Sequence, residues 1–269
     1  MSELSQAGGA FLAVFRRDLH VYVSYRTRMV SQLLTSVFSL TLFYYISRLV
    51  NVSGFTSPNQ YFGFVVVGIA LVSVLYSCFA IAEQVRQELI AGTFERFLLS
   101  PFGAVAGMAA MTLFPLLFAF ILASTTLGVG VVLFGLELHW ATVPYAVPAM
   151  ALALLSFIPF GLFFAAVTVA TKQGNVGTSW FIALVSIVGG LYFPVELLPG
   201  WVQRFSEVQP FTPATELLRH LLTDSPQASS TLTTVAKLAG FAMVLVPLSL
   251  FALREAIRYG QRRGTIIEY

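Results

Sequence analysis

EQVRQELIAGTFERFLLSP, residues 83–101, carries five charged side chains between two long apolar runs, and its position decides how the rest of the chain is read. Charged residues make up only 10% of 269 positions and apolar residues 57%, with a mean hydropathy of +0.83. A chain of that balance belongs in a bilayer. Charge-free runs cover Met29 to Ser47, Leu49 to Ala82, Phe102 to Leu136, Leu138 to Thr171, Gln173 to Val195 and Leu238 to Leu253. Lipid offers no partner for an unpaired backbone amide, so a crossing segment satisfies its own hydrogen bonds as helix, which takes about 20 residues for a core of about 30 Å.

Six transmembrane helices are therefore expected near 29–50, 60–82, 104–134, 142–170, 175–193 and 234–254. Pro115, Pro144, Pro148 and Pro159 are the candidates for a kink or break in the longer runs, because proline removes an amide donor and crowds the preceding turn. The chain divides into an amino-terminal segment over 1–28, a membrane domain over 29–256 and a basic tail over 257–269.

Basic residues set the expected orientation. With both termini on one side, that side collects eleven of the 15 lysines and arginines, and the other holds only Arg48, Arg204, Arg219 and Lys237. This bias predicts that both termini and the insert are cytoplasmic, in the cell membrane. The net charge of +3 is then a topology signal, with no nucleic-acid partner implied.

The amino terminus does not read as a cleavable signal peptide, since its basic residues follow an apolar start. Residues 10–25 read instead as an amphipathic helix, with Phe11, Phe15, Leu19 and Tyr22 at helical spacing and Arg16, Arg17 and His20 elsewhere around the axis. Such a helix lies in the cytoplasmic interface, its arginines near anionic headgroups.

Chemistry is scarce. Cys78 is the sole cysteine, and His20, His139 and His220 are far apart with no metal-ligand spacing. The only lysines, Lys172 and Lys237, do not follow the glycines of a phosphate loop. No cofactor is expected on this chain, and ATP, if used, is bound elsewhere. The expected spans carry no mid-bilayer acid or base, only Arg48 and Lys237 near helix ends, which disfavours an ion-coupled pump without excluding backbone carbonyls as ion ligands.

Within the insert, residues 83–91 can extend the second span into the cytoplasm, with Val85 and Leu89 on one face and Glu83, Gln84, Gln87 and Glu88 elsewhere. Gly92 suits a left-handed terminator and Thr93 an N-cap; Glu95 favours the positive end of the new helix. Phe94, Phe97 and Leu98 form its apolar edge, and Ser100-Pro101 repeats the start signal. The result expected is a short crosswise helix presenting two aromatics.

Farther on, Pro199 and Pro213 can begin short helices. Trp201, Val202, Phe205 and Val208 give one an apolar stripe, as Leu217, Leu218, Leu221 and Leu222 do the other. Glu216 and Arg219 stand three apart and can pair.

These two stretches resemble the ABC-2 family of ABC exporter membrane subunits. The first matches a glutamate-rich approach, G-T-hydrophobe-E, apolar residues and S-P, at Glu83, Glu88, Gly92, Thr93, Phe94, Glu95, Leu98, Ser100 and Pro101. The second matches F-P at Phe193-Pro194, L-P-x-W through Pro199 and Trp201, Q-P-x-T through Pro210 and Thr212, then Glu216 and L-R at Arg219. RRD at Arg16, Arg17 and Asp18 extends the resemblance to the amino terminus.

The resemblance implies an all-α integral membrane protein with six spans, an N-terminal interfacial helix, a coupling helix between spans 2 and 3, and short re-entrant outer helices between spans 5 and 6. It implies a separate ABC ATPase subunit that holds ATP and magnesium, a second copy of this or a similar permease, and outward movement of a hydrophobic or amphipathic small molecule or lipid. Lipid-linked polysaccharide or glycolipid is the alternative cargo. The opening RRDLHVYVSYRTRMVSQLL lacks the basic R-Y-K centre and L-G-x-x-W ending usual in polysaccharide exporters. Outside the family, an ion-coupled secondary transporter is the competing reading.

Overall fold

The computed structural model describes residues 26–49, 55, 57–94, 105, 107–108, 111–172, 177–223, 225 and 229–262. Among these, α1 spans Arg26–Leu49, α2 Pro58–Ile90, α3 Leu113–Phe134, α4 Val143–Thr171, α5 Thr178–Val188, α6 Gly200–Glu207, α7 Phe211–Thr223 and α8 Thr231–Arg262, with a 3₁₀ turn at Val195–Leu197. The described residues contain no strand. The expected interfacial helix, with Phe11, Phe15, Arg16, Arg17 and Asp18, lies outside the described residues, as do Glu95, Phe97, Leu98, Ser100 and Pro101.

Among the described residues five helices are long and apolar enough to cross a membrane, and the chain is an integral membrane protein. The expected fifth span, 175–193, is represented by α5, which has only 11 residues. At about 1.5 Å per residue it reaches roughly half the bilayer core. Its end is set by Gly189-Gly190: the Gly190 amide bonds the Ile187 carbonyl at 3.1 Å and the Leu191 amide the Ser186 carbonyl at 3.1 Å, with Gly190 at φ 68°. That is a Schellman closure, and it suits glycine because an L side chain resists the left-handed region.

In the expected third span, residues 105 and 107–108 are helical, turns follow at 111–112, and α3 begins at Leu113. The break thus precedes Pro115. Pro148 and Pro159 both lie inside α4, which continues through them, as membrane helices permit when neighbours support the freed carbonyls.

α2 is the central element. It begins at Pro58 with the Ser57 hydroxyl accepting the Gln60 amide at 3.2 Å, a cap-then-proline start. It packs against α1, α3, α4, α5 and α7, while α4 and α8 form the most extensive pair. Small residues permit the close approach: a Cβ on Gly161 would sit 2.0 Å from the Cys78 carbonyl oxygen, so α4 meets α2 backbone to backbone. The main core around Leu71, Leu75, Phe157, Ile182, Phe211 and Leu218 fills the middle of the bundle.

The bundle has two polar ends. At one, Ile90 is followed by the 91–94 turn, and Lys172, Arg254, Arg258 and Arg262 mark the nearby ends of α4 and α8. At the other, α2 starts and α5 and α7 pack onto it, with α6 held against both of them.

Candidate functional site

The 91–94 turn closes α2 by the same chemistry that closes α5. The Gly92 amide bonds the Leu89 carbonyl at 3.1 Å and the Thr93 amide the Glu88 carbonyl at 3.0 Å, with Gly92 at φ 66°. Gly92 is the left-handed terminator its sequence context predicts. Thr93 also donates its hydroxyl to the Glu88 carboxylate, so this threonine ties the turn to the last full turn of α2. One turn earlier, Arg86 and Glu83 pair at 2.9 Å and Gln87 donates to the same carboxylate at 2.7 Å. Both partners of that pair are about one-third exposed, where such a pair contributes about 0–1 kcal/mol.

Phe94 corrects the sequence reading. Expected as an exposed contact, it is 2% exposed and packs in a cluster with Val85 and Leu89 of α2, Met108, Ala165 of α4 and Ile257 of α8. The left-handed turn at Gly92 reverses the chain, so the side chain two residues on falls back onto the helix it has just left. Val85 and Leu89 share the buried face that their spacing predicts.

At the opposite end, the organising residue is Arg219. It is 5% exposed and shares its face of α7 with Thr212, Thr215 and Glu216. Its Nε donates to the Phe64 carbonyl at 3.0 Å, one terminal nitrogen to Gly190 at 2.8 Å and the other to Leu191 at 2.8 Å, and the guanidinium lies 3.2 Å from the centroid of the Phe64 ring. The Schellman turn leaves the Gly190 and Leu191 carbonyls without helical partners, and the planar fork of arginine meets them. Gly68 makes room: a Cβ there would fall 1.8 Å from the Leu191 oxygen.

The expected Glu216–Arg219 pair does not form, because every arm of Arg219 goes to backbone. Burial lowers the Arg219 pKa to about 9, with Glu216 and Glu196 opposing the shift. It remains cationic at neutral pH. Burial raises the Glu216 carboxyl, Glu196 adds to that, and Lys237 and Arg219 pull it back. Phe55, Phe64, Glu196, Thr212, Glu216 and Arg219 border a cavity of about 270 Å³.

The remaining predicted residues of this end have distinct placements. Pro194 and Pro199 precede the 3₁₀ turn and α6, as helix starts favour. Gln209 donates to the Thr212 hydroxyl at 3.0 Å across the Pro210 junction, which gives the Q-P-x-T pattern its local reason. Phe193, Trp201, Phe205 and Val208 are exposed, whereas Val202 is buried, so only part of the expected stripe on α6 faces the protein. Leu217, Leu218, Leu221 and Leu222 are all buried.

Several anchors were not legible as such. The Ser206 hydroxyl donates to the Val188 carbonyl at 2.6 Å, the Thr142 hydroxyl to Leu221 at 2.5 Å, and the His139 amide to Leu222 at 2.9 Å. Phe211 packs against Phe157 and Phe160 in tilted geometry, with centroids 4.7 and 5.0 Å away. Among the described residues, no three His, Cys, Asp or Glu side chains are grouped for a metal ion.

A family model described as ABC-2 type transporter matches residues 9–223. That range takes in the 91–94 turn and the Arg219 contacts and stops where α7 does. No match was found among curated proteins.

Proposed function

The chain belongs to the ABC-2 type transporter family, and on that premise we propose that this permease subunit exports a hydrophobic or amphipathic small molecule or lipid, driven by a separate ABC ATPase. The ATP and magnesium reside on that partner, and two permease copies complete the pathway. In this reading the Ile90 end and both termini are cytoplasmic, which the eleven-to-four basic bias supports; α6 and α7 are re-entrant helices of the outer leaflet, and α5 is the short fifth passage of a six-span topology.

One observation carries the coupling role. The turn that follows α2 is pinned by Phe94 into a cluster shared by α2, α4 and α8. A partner pressing on residues 92–94 therefore acts on three helices at once. α2 then runs 33 residues, about 50 Å at 1.5 Å per residue, past the Phe64 carbonyl held by Arg219. The same rod touches the proposed ATPase surface and the proposed outer closure. The exposed Trp201 and Phe205 suit an outer-leaflet position for α6, where aromatic rings favour the interface.

The reading is tested by co-expression with an ABC ATPase and reconstitution into vesicles. The expected result is a stable complex and transport that needs ATP. Transport driven by an ion gradient through the purified chain alone would overturn it in favour of a secondary transporter.

A further inference from the structure

A second cavity, also about 270 Å³, opens between α1, α2 and α3 in the half of the bundle nearer Ile90. Ser73, Ser77 and Gln84 of α2 line one side, Gln32 of α1 another, and Phe114 and Phe118 of α3 the third. The α2 positions recur at helical spacing, with Tyr76 and Ala80 between them, and so make one stripe. The stripe covers eleven residue steps, about 16 Å along the axis. Elsewhere around this stretch α2 turns Val74, Leu75, Phe79, Ile81 and Ala82 into the core. A face made for hydrocarbon does not concentrate polar groups in this way.

The hydrogen bonds show what the stripe offers. The Ser73 hydroxyl donates to the Ile69 carbonyl at 3.1 Å and the Ser77 hydroxyl to the Ser73 carbonyl at 3.0 Å. Both protons are committed to the helix, leaving the oxygens as acceptors. Gln84 Oε1 is buried and has no hydrogen-bond partner among the described residues. A hydroxyl both donates and accepts, so it satisfies Gln84 in either amide orientation. Among the described lining residues no side chain is ionisable at neutral pH, so none of them offsets a phosphate. The Phe114 and Phe118 rings lie nearly parallel, 8° apart with centroids 6.4 Å apart, and form an apolar wall beside the polar stripe.

We propose that this groove binds an amphiphile with an uncharged, hydroxyl-bearing headgroup, of the diacylglycerol kind, with the headgroup on Ser73, Ser77 and Gln84 and an acyl chain along Phe114 and Phe118. The proposal rests on the exporter reading for its meaning, since it names a cargo class and where that cargo docks. Its test reads binding alone.

The probe is a diacylglycerol carrying a diazirine in one acyl chain, photolysed with the purified full chain in phosphatidylcholine nanodiscs and mapped by peptide mass spectrometry. Label is expected on residues 73–84 and 114–122, competed by dioleoylglycerol and not by its O-acetyl ester. Gln84→Leu and Ser77→Ala should each weaken labelling about fivefold, and the double variant about twenty-fivefold, one hydrogen bond at a time. Gln84→Leu removes a buried acceptor without a partner, so its melting temperature should equal or exceed the parent's and lost labelling is not lost fold. Unchanged labelling in Gln84→Leu, equal competition by the acetyl ester, or stronger competition by phosphatidic acid would each overturn the proposal. Lost labelling specificity with ATP-driven transport intact removes the groove and leaves the exporter. Intact, hydroxyl-dependent labelling in a chain that no ATPase drives supports the groove and overturns the exporter.

Discussion

Replacing Arg219 with alanine isolates the contact that holds the α5–α7 segment to α2. The variant removes the charged donors of the Gly190 and Leu191 carbonyls, whereas the Phe64 carbonyl, being helical, keeps an intrahelical partner. Each buried acceptor left without a donor costs about 1–3 kcal/mol, so local closure of the segment should weaken by about 2–6 kcal/mol. Leu191 is 1% exposed, and a cysteine at that position reports opening through its rate of maleimide labelling. If opening is local and fast relative to labelling, 2 kcal/mol already accelerates the reaction about thirtyfold. Arg219→Lys should recover only part of the protection, because one ammonium cannot span the three carbonyls that the fork reaches. Gly68→Ala offers an independent approach: its Cβ would meet the Leu191 oxygen at 1.8 Å and must displace the same turn. A labelling rate for Arg219→Ala within twofold of the parent would refute the latch.

Four further outcomes follow from the same geometry. Phe94→Ala should destabilise the bundle by about 3–5 kcal/mol, read as a lower melting temperature in detergent, because it empties a core site where an exposed contact was expected. Gly92→Ala should cost about 1–2 kcal/mol for an L residue at φ 66° and increase protease cutting after Ile90. A cysteine beside Lys172 should label only from the cytoplasm and one beside Glu137 only from outside; the reverse pattern refutes the orientation. Glu216 is favoured in its protonated form by burial and by Glu196, so its contribution to stability is full below the ordinary carboxyl pKa of 4.5 and is lost as pH rises through its raised value. Glu216→Gln should flatten that part of the melting profile, and an unchanged profile would place the titration elsewhere.

Local chemistry made some of this structure legible. Gly92 announces the stop of α2 because left-handed backbone depends on neighbours in sequence, whereas the Ser57-Pro58 start lies two residues before the expected span. The early end of α5 was missed, since a continuous apolar run to Val195 gives no weight to two glycines whose turn matters only when packed. Arg219 was assigned to Glu216, three residues away, but its acceptors lie 28, 29 and 155 residues distant. Periodicity shows that a side chain shares a face and is silent on whether a charged one turns inward. Phe94 was misplaced for a related reason: an aromatic beside charged residues reads as surface until the Gly92 turn directs it back.

The contact at Gly161 limits how this machine can move. With the α4 backbone so near the Cys78 carbonyl, a slip of one residue along the axis would drive Phe160 or Leu162 into a gap that admits only a hydrogen atom. The two helices behave like a shaft keyed to its hub: they can swing together, but neither can ratchet past the other. Motion at this contact then carries α2 and α4 together. α1 and α8, each only 11% buried along its apolar window, are the least enclosed of the long described helices around that pair.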